Sequence, residues 1–315
     1  MRHRRLPPRE RAGGFRCVWA CEKNEAARQT YALNFGHMPA GDIAGVDPNE
    51  VPDHDVAVAG LPCVPFSVLG RKRGLDDPRS GVLHSVLRLL AAKRPRAVLL
   101  ENVPALARQH GGRALRFMAG CLRGLGYAVS WSVLDASSFG AAQRQQRLFV
   151  VASRGSVFDF STIPTRPPGR LRDLLDDVDD GWLDPGEYTL LDPPRVGGSG
   201  LIFAGFLNRP LRVPGGNPRS PGTHRHTNMI WAAEGLGPTL CSGDDMGRYH
   251  VLVGGRVRKL TTPERCRLMG FPAYFAFHKP AKASVQLGNS VYVPCVAGLA
   301  REVSRQVVGV VAVTA

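Results

Sequence analysis

Several features that would assign this 315-residue chain to particular protein classes are missing from its sequence. No apolar run approaches the roughly 18 residues of a membrane span, and the basic N-terminus is not followed by the apolar segment of a secretory signal. The seven cysteines contain no C-x-x-C pair, so their spacing indicates neither a zinc site nor a disulfide framework, and no metal is expected. We therefore expect a globular protein of the cytoplasm without a membrane partner.

Acidic residues are also scarce relative to basic ones. The chain has 41 Lys and Arg against 26 Asp and Glu, which gives a net charge of +15. This excess favours a polyanionic partner, nucleic acid first. Hydrophobic residues make up 43% of the chain, and the length suits one large domain with a smaller one.

Strand-like and helix-like segments alternate in the first half of the chain. Strands are predicted at 15–20 (buried), 55–59, 97–100, 127–134 and 147–152, and helices at 25–34, 80–93 and 115–125. This alternation predicts an α/β fold with a doubly wound, mostly parallel sheet. Residues 153–249 are rich in Pro, Gly and Arg and predict a small loop-rich second domain with one helix at 171–178. Regular structure is expected to resume with Thr262 as a helix N-cap before Pro263.

A cysteine and a glutamate each follow one of the predicted strands. Gly60-Leu61-Pro62-Cys63-Val64-Pro65 comes directly after one apolar run, and Glu101-Asn102-Val103 ends another. In open α/β sheets ligands and chemistry collect at the carboxyl ends of the strands. A lone cysteine is most often a small buried apolar residue, but the two strand ends together predict one site with a nucleophile and an acid.

These residues begin a series of motifs that resembles the C5-cytosine DNA methyltransferase family through most of the chain. The Pro-Cys and Glu-Asn-Val elements are followed, in the family's order, by Gln143-Arg144-Gln145-Gln146-Arg147, Arg258-Lys259-Leu260-Thr261, Gly270-Phe271-Pro272 and Gly288-Asn289-Ser290-Val291. The resemblance implies a methyltransferase (Rossmann-like) sheet, S-adenosyl-L-methionine as cofactor, and double-stranded DNA as substrate. The implied reaction is methyl transfer to C5 of a flipped-out cytosine.

The resemblance assigns three catalytic residues. Cytosine C5 is not nucleophilic, so the Cys63 thiolate would add to C6 and make C5 reactive. Glu101 would bind the base and protonate N3, which requires a carboxyl whose pKa is raised by a dry pocket. Arg147 would hold the base's O2 and orient Glu101.

Cofactor and DNA contacts follow from the same resemblance. Glu22 at a strand end would hold ribose hydroxyls, Asp42 would meet the adenine amine, and Asn289 and Val291 would cover the methionine end. Ile43 and Pro62 complete the predicted cofactor set. The predicted DNA contacts, several of them in a basic loop that closes over the duplex, are Ser67, Arg71, Lys72, Arg73, Gln143 and Arg225.

The resemblance also divides the chain by role. Residues 1–152 would form the catalytic and cofactor-binding domain and 153–249 the target-recognition domain, and 250–315 would return to the catalytic domain. The family opens with a strand, a Phe-x-Gly-x-Gly-Gly loop and a helix, for which there is no room before Phe15. We therefore expect an N-terminally truncated sheet, through a start set too far downstream or a decayed 5′ end. Less favoured are a chain complemented by a separate N-terminal fragment and a novel cofactor loop.

Two further departures from the family are Val64, where glutamine is common, and Gln145, where the first of two arginines is usual. We expect a monomeric enzyme of a restriction–modification or phage setting, with a cognate restriction endonuclease as a partner. The alternatives are a tRNA cytosine-5 methyltransferase and a catalytically silent truncated homologue that only binds DNA. A thiol enzyme acting on small molecules would not explain the charge of +15.

Overall fold

The structure, a computed structural model, describes residues 14–61, 81–208, 228–241 and 249–309. The chain forms two compact units, one of residues 1–134, 146–164 and 295–315, the other of residues 135–145 and 165–294. This division by packing differs from the predicted division by role at 152 and 249, which stays a prediction. No helix within the described ranges is long and apolar enough to cross a membrane.

The first unit is built on a four-stranded sheet. Its strands are β1 Val56–Gly60, β2 Ala97–Asn102, β3 Ala128–Asp135 and β4 Gln146–Ser153, in the order β1-β2-β4-β3. The pair β1–β2 is parallel, whereas β2–β4 is antiparallel. The α/β prediction is confirmed, and β4 is a strand that departs from the predicted parallel arrangement. Residues 136–145 connect β3 to its neighbour β4 and contain no α-helix. Because this connection cannot carry a parallel crossover, the chain reverses direction at β4.

Three of the described helices of the first unit lie close to the predicted positions 25–34, 80–93 and 115–125, whereas those at 105–108 and 293–303 were not predicted. The helices are α1 Glu25–Phe35, α2 Gly81–Lys93, α3 Ala105–Arg108, α4 Arg113–Gly124 and α7 Val293–Val303, which continues as a π-helix over Ser304–Val308. The apolar faces of α2 and α4 pack on the sheet through residues such as Leu90, Met118 and Leu122, all at most 3% exposed. The run 97–100 of β2 is buried on both faces, as expected for an interior strand.

The prediction of a buried strand at 15–20 is wrong. These residues form no strand and are half-buried or exposed, with Val18 41% exposed. The nearest bridge among the described residues is a parallel one from Cys21, directly after this run, to Ala40, whose backbone hydrogen-bonds with Ala20 and Glu22. An apolar run without a second neighbouring strand gains too few backbone hydrogen bonds to form a buried strand.

The described residues of the second unit form a five-stranded sheet, and three of its strands lie where the composition predicts loops. Its strands, in spatial order, are β5 Tyr188–Val196, β6 Ile202–Leu207, β7 Met229–Ala232, β8 His250–Val253 and β9 Arg256–Lys259. The prediction of a largely irregular segment is therefore wrong for β5 to β7, and the helix expected at 171–178 is only a 3-10 turn, Leu171–Leu174. Pro193 and Pro194 interrupt β5 and Gly205 interrupts β6, whereas β7 is only four residues long, so none of the three shows a clear alternation in the sequence.

The helices α5 Thr262–Leu268 and α6 Ala283–Gly288 complete the second unit. The N-cap of α5 is Thr261, one residue before the predicted Thr262, because Thr261 and Glu264 form a reciprocal capping box. Glu264 also forms a fully buried bidentate ion pair with Arg258, at 2.7 and 2.9 Å. The element of the sequence resemblance at 258–261 is thus joined to the start of α5 by one carboxylate.

Candidate active site

The two strand ends that were predicted to share a site lie side by side in the first unit. Gly60 at the end of β1 pairs in register with Glu101 of β2, and the Leu61 amide donates to the Glu101 carbonyl at 3.2 Å. The buried Asn102 side chain donates to the Leu61 carbonyl at 3.1 Å and accepts from the Val103 amide at 2.9 Å. The chain that leads into Pro62-Cys63 is therefore anchored directly beside Glu101.

Glu101 and Arg147 form an ion pair, with 3.1 Å between Nε of the arginine and Oε1 of the glutamate. Their side chains are 24% and 14% exposed, so the pair is shielded but open to a ligand. Gly60 lies directly beside it, since a Cβ there would be in ordinary van der Waals contact with Oε2 of Glu101, at 3.5 Å. Burial raises the pKa of Glu101, and the nearby charge of Arg147 opposes this only in part. The carboxyl therefore holds its proton to higher pH than an exposed glutamate, which is the property that an acid requires.

Two acidic side chains lie close to the bridged segments at Cys21 and Ala40. Glu22 is exposed and accepts from the Asn24 amide at 2.6 Å. Asp42 is paired with Lys23 at 2.6 Å, and the hydrogen bond from Lys23 lowers the pKa of this carboxyl. Both groups are therefore accessible acceptors, which fits a ligand that presents hydroxyl and amine donors, such as the ribose and adenine of S-adenosyl-L-methionine. Ile43, predicted beside Asp42, is half-buried and packs against the core.

Two further predicted cofactor residues, Asn289 and Val291, belong to the second unit. Asn289 is exposed at the C-terminal end of α6, and Val291 is half-buried two residues later. The backbone around them is held by the buried side chain of Gln145. Glu22, Asp42 and Ile43 belong to the first unit, whereas Asn289 and Val291 belong to the second, so their assignment to one cofactor site is a proposal.

Gln143 requires a correction as a predicted DNA contact. Its side chain is fully buried and donates to the Leu268 carbonyl at 2.9 Å and to the Met269 sulfur at 3.0 Å. A side chain enclosed in this way is not accessible to DNA in this conformation. Arg144 is the partly exposed group of that segment, and it pairs with Asp135 at 2.8 Å.

Seven predicted site residues lie outside the described residues: Pro62, Cys63, Ser67, Arg71, Lys72, Arg73 and Arg225. Two residues that hold the backbone next to predicted site residues, Asn102 and Gln145, were not themselves predicted. Asn102 belongs to the quoted Glu-Asn-Val element, and a polar residue that directly follows the acid at the end of a buried strand is the signal that could have identified it. Gln145 was noted only as a departure from the family, and a polar residue inside an otherwise basic motif is its signal.

Comparisons with known proteins agree with this geometry. A family model described as C-5 cytosine-specific DNA methylase matches residues 8–182 and 222–305. The Type II methyltransferase M.NgoBI of Neisseria gonorrhoeae is 34% identical over 280 residues, which cover 89% of this chain and 83% of that protein. The Type II methyltransferase M.HaeII of Haemophilus aegyptius is 32% identical over 291 residues, with 92% and 86% covered.

Solved structures show the same fold at lower identity. The S. pombe Dnmt2 methyltransferase superposes with a TM-score of 0.65 at 19% identity, over 91% of this chain and 90% of that one. A putative DNA modification methyltransferase from an E. coli prophage gives a TM-score of 0.63 at 22% identity, over 95% and 94%. The predicted methyltransferase fold is thereby confirmed.

Proposed function

The chain belongs to the C-5 cytosine-specific DNA methylase family, and from that premise we propose which of its residues carry out the reaction. The protein is an S-adenosyl-L-methionine-dependent DNA cytosine-5 methyltransferase. The observation that carries the residue assignment is the register of β1 and β2, in which Gly60 pairs with Glu101. This pairing supports a site where Cys63, which follows Gly60 closely in the chain, acts on the same base as Glu101.

Cys63 is the proposed nucleophile. Its thiolate would add to C6 of the cytosine, and the electron pair of the C5–C6 bond would move toward C5, which would then attack the sulfonium methyl while the electrons of the broken methyl–sulfur bond stay on the sulfur as a neutral thioether. After methyl transfer a base removes the C5 proton, the electron pair re-forms the C5–C6 double bond, and the C6–S bond breaks to release the thiolate. Asn102 fixes the Leu61 carbonyl just before this cysteine and so limits the freedom of the chain that carries it.

Glu101 is the proposed acid that manages charge on the base. Its raised pKa allows it to present a proton to N3 as the thiolate adds to C6, and to take that proton back when the thiolate leaves. Arg147 holds the Glu101 carboxyl through Nε and would bind O2 of the base with the rest of its guanidinium. The pair therefore sets both the orientation and the protonation of the base.

Glu22 and Asp42 would hold the ribose and adenine of the cofactor, with Ile43, Pro62, Asn289 and Val291 completing its site. The cofactor supplies the methyl group on a sulfonium, which is the electrophile of the reaction. The protein's contribution is to accept hydrogen bonds from the nucleoside with accessible carboxylates, of which Asp42 has a pKa lowered by the hydrogen bond from Lys23.

Double-stranded DNA would be engaged by the basic loop that contains Ser67, Arg71, Lys72 and Arg73, while 153–249 reads the target sequence with Arg225 among its contacts. Flipping the base costs a few kcal/mol, which contacts between basic side chains and the phosphates would offset. We further propose that the enzyme is monomeric and cytoplasmic and that it has a cognate restriction endonuclease as a partner.

Incorporation of labelled methyl groups tests the assignment. The protein is incubated with labelled S-adenosyl-L-methionine and cytosine-containing duplex DNA, and the variants Cys63→Ser and Cys121→Ser are compared with the wild type. We expect incorporation that Cys63→Ser abolishes and Cys121→Ser retains, because Cys121 lies on α4 rather than at a strand end. Binding of DNA without any incorporation by the wild type would instead favour a silent DNA-binding protein.

A further inference from the structure

A buried glutamine bridges two backbone groups of the Gly-Asn-Ser-Val segment in the second unit. The Gln145 side chain is 2% exposed. Its Oε1 accepts from the Tyr292 amide at 2.9 Å, and its Nε2 donates to the Ser290 carbonyl at 3.3 Å. One amide group thus satisfies a donor and an acceptor that flank Val291.

The same segment is held from other sides as well. The Ser290 amide donates to the Leu287 carbonyl at 3.1 Å, and the Val293 amide donates to the Met269 carbonyl at 3.0 Å. These bonds fix the two ends of the turn, whereas Gln145 bonds to its middle, on both sides of Val291. Loss of this side chain would leave the Tyr292 amide and the Ser290 carbonyl without these partners in a largely buried place.

The residue type matters because arginine, usual at this position in the family, has no acceptor atom. An arginine could donate to the Ser290 carbonyl but could not accept from the Tyr292 amide. A glutamine makes both hydrogen bonds and brings no charge into a buried position, where an unpaired charge is costly. The departure at 145 therefore creates a hydrogen-bond arrangement that the usual arginine would not make.

We propose that Gln145 is a positioning residue that holds Asn289 and Val291 in the conformation that binds S-adenosyl-L-methionine. The inference rests on the proposed function, since these two residues belong to the cofactor site proposed there. Gln145 does not itself touch the cofactor. It acts by fixing the backbone at Ser290 and Tyr292. Its removal therefore lowers the affinity for the cofactor more than the loss of folding stability alone would.

A second buried glutamine of the same segment provides the matched control. Gln143 is fully buried, and its side chain bonds to the Leu268 carbonyl, the Met269 sulfur and the Leu240 amide rather than to the turn at 289–292. Gln145→Met and Gln143→Met each remove a buried amide while keeping the length of the side chain. Comparable losses of stability are expected, whereas only the first variant loses the two contacts that hold the turn.

Calorimetric titration with S-adenosylhomocysteine, without DNA, measures the effect directly. We expect Gln145→Met to weaken binding about tenfold, or about 1.4 kcal/mol, and Gln143→Met to bind within about twofold of the wild type. In methylation assays Gln145→Met should raise the KM for S-adenosyl-L-methionine while the KM for DNA stays unchanged. Equal affinities in the two variants would overturn the inference and leave the proposed function intact.

Hydrogen exchange on the wild type provides a test that needs no variant. The Tyr292 amide should be protected before ligand is added, because its acceptor is a buried side chain. Rapid exchange of this amide would overturn the proposed contact. Failure of the wild type to bind S-adenosylhomocysteine would overturn the cofactor assignment together with this inference, which distinguishes that case from the selective failure above.

Discussion

Replacement of Glu101 by glutamine removes a proton donor while keeping the shape of the site. The amide has the same size, and its oxygen can still accept from Nε of Arg147, which lies 3.1 Å from Oε1 in the wild type. What the variant lacks is a group that can release a proton to N3 of the base. General acids of this kind contribute about 10²–10⁴-fold to rate, or about 3–5 kcal/mol of the barrier.

We therefore expect Glu101→Gln to lower the single-turnover rate of methyl transfer by about 10²–10⁴-fold while DNA affinity changes little. Rates are measured with labelled S-adenosyl-L-methionine and excess enzyme, and affinity by fluorescence anisotropy of labelled duplex DNA. A variant that methylates within about tenfold of the wild type would contradict the role of Glu101 as an acid.

The pH dependence of stability tests the same residue without substrate. Because burial raises the pKa of Glu101, the folded state binds more protons than the unfolded one between the unfolded and folded pKa values. Stability contributed by the protonated form is therefore lost as the pH rises through that interval. Glu101→Gln has no titrating carboxyl here and does not lose this contribution, so its unfolding free energy relative to the wild type should increase as the pH rises from the unfolded pKa through the raised folded pKa.

Glu302 is the matched control, because its pKa is shifted in the opposite direction. It is a largely buried carboxylate of α7, and the hydrogen bond from Arg305 lowers its pKa. Its stabilising contribution is present above the unfolded pKa and is lost as the pH falls through the folded one. Glu302→Gln should therefore lose stability relative to the wild type as the pH rises. The unfolding free energy of each variant relative to the wild type is measured by urea unfolding at a series of pH values. If this difference changes with pH in the same direction for both variants, the buried environment described for Glu101 is refuted.

Three substitutions test other contacts of the structure. Glu264→Gln should cost about 3–5 kcal/mol in urea unfolding because it leaves its buried arginine partner uncompensated, whereas Glu234→Gln at an exposed pair should cost under about 1 kcal/mol. Asn102→Leu should slow methyl transfer more than it weakens DNA binding, as single-turnover rates and anisotropy would reveal. Gly205→Ala should lower the melting temperature markedly, because its Cβ would collide with the backbone of β5, while Gly198→Ala has open space and should not.

The two strand ends that form the proposed site could be predicted because the sequence signal for each is local. An apolar run that ends in Gly60-Leu61 and another that ends in Glu101 each specify a strand, and the rule for strand ends in α/β sheets then brings the two residues together. The helices α1, α2 and α4 were equally accessible to prediction from their local sequence. Arg147 could be placed only through the resemblance, because its contact with Glu101 depends on the insertion of β4 beside β2.

Other parts of the fold depend on neighbours that a local pattern does not contain. The run at 15–20 has the composition of a strand, yet a strand forms only where ladder partners exist, and Cys21 has a single bridge among the described residues. The strands β5 to β7 are held by long-range pairing across proline-rich connections, which have the composition of loops. Gln143 resembled a DNA contact by its motif, but the packing of α5 around it decides that it is interior.

Trapping of the covalent intermediate is the most direct test of the central claim that Cys63 attacks the base. In DNA that contains 5-fluorocytosine, methyl transfer leaves no proton at C5 to remove, so the C6–S bond cannot break by elimination. We predict a denaturation-resistant complex of wild-type protein with this DNA that requires S-adenosyl-L-methionine and is absent in Cys63→Ser. A complex that persists in Cys63→Ser, or methylation of ordinary DNA by a wild type that forms no such complex, would contradict this mechanism.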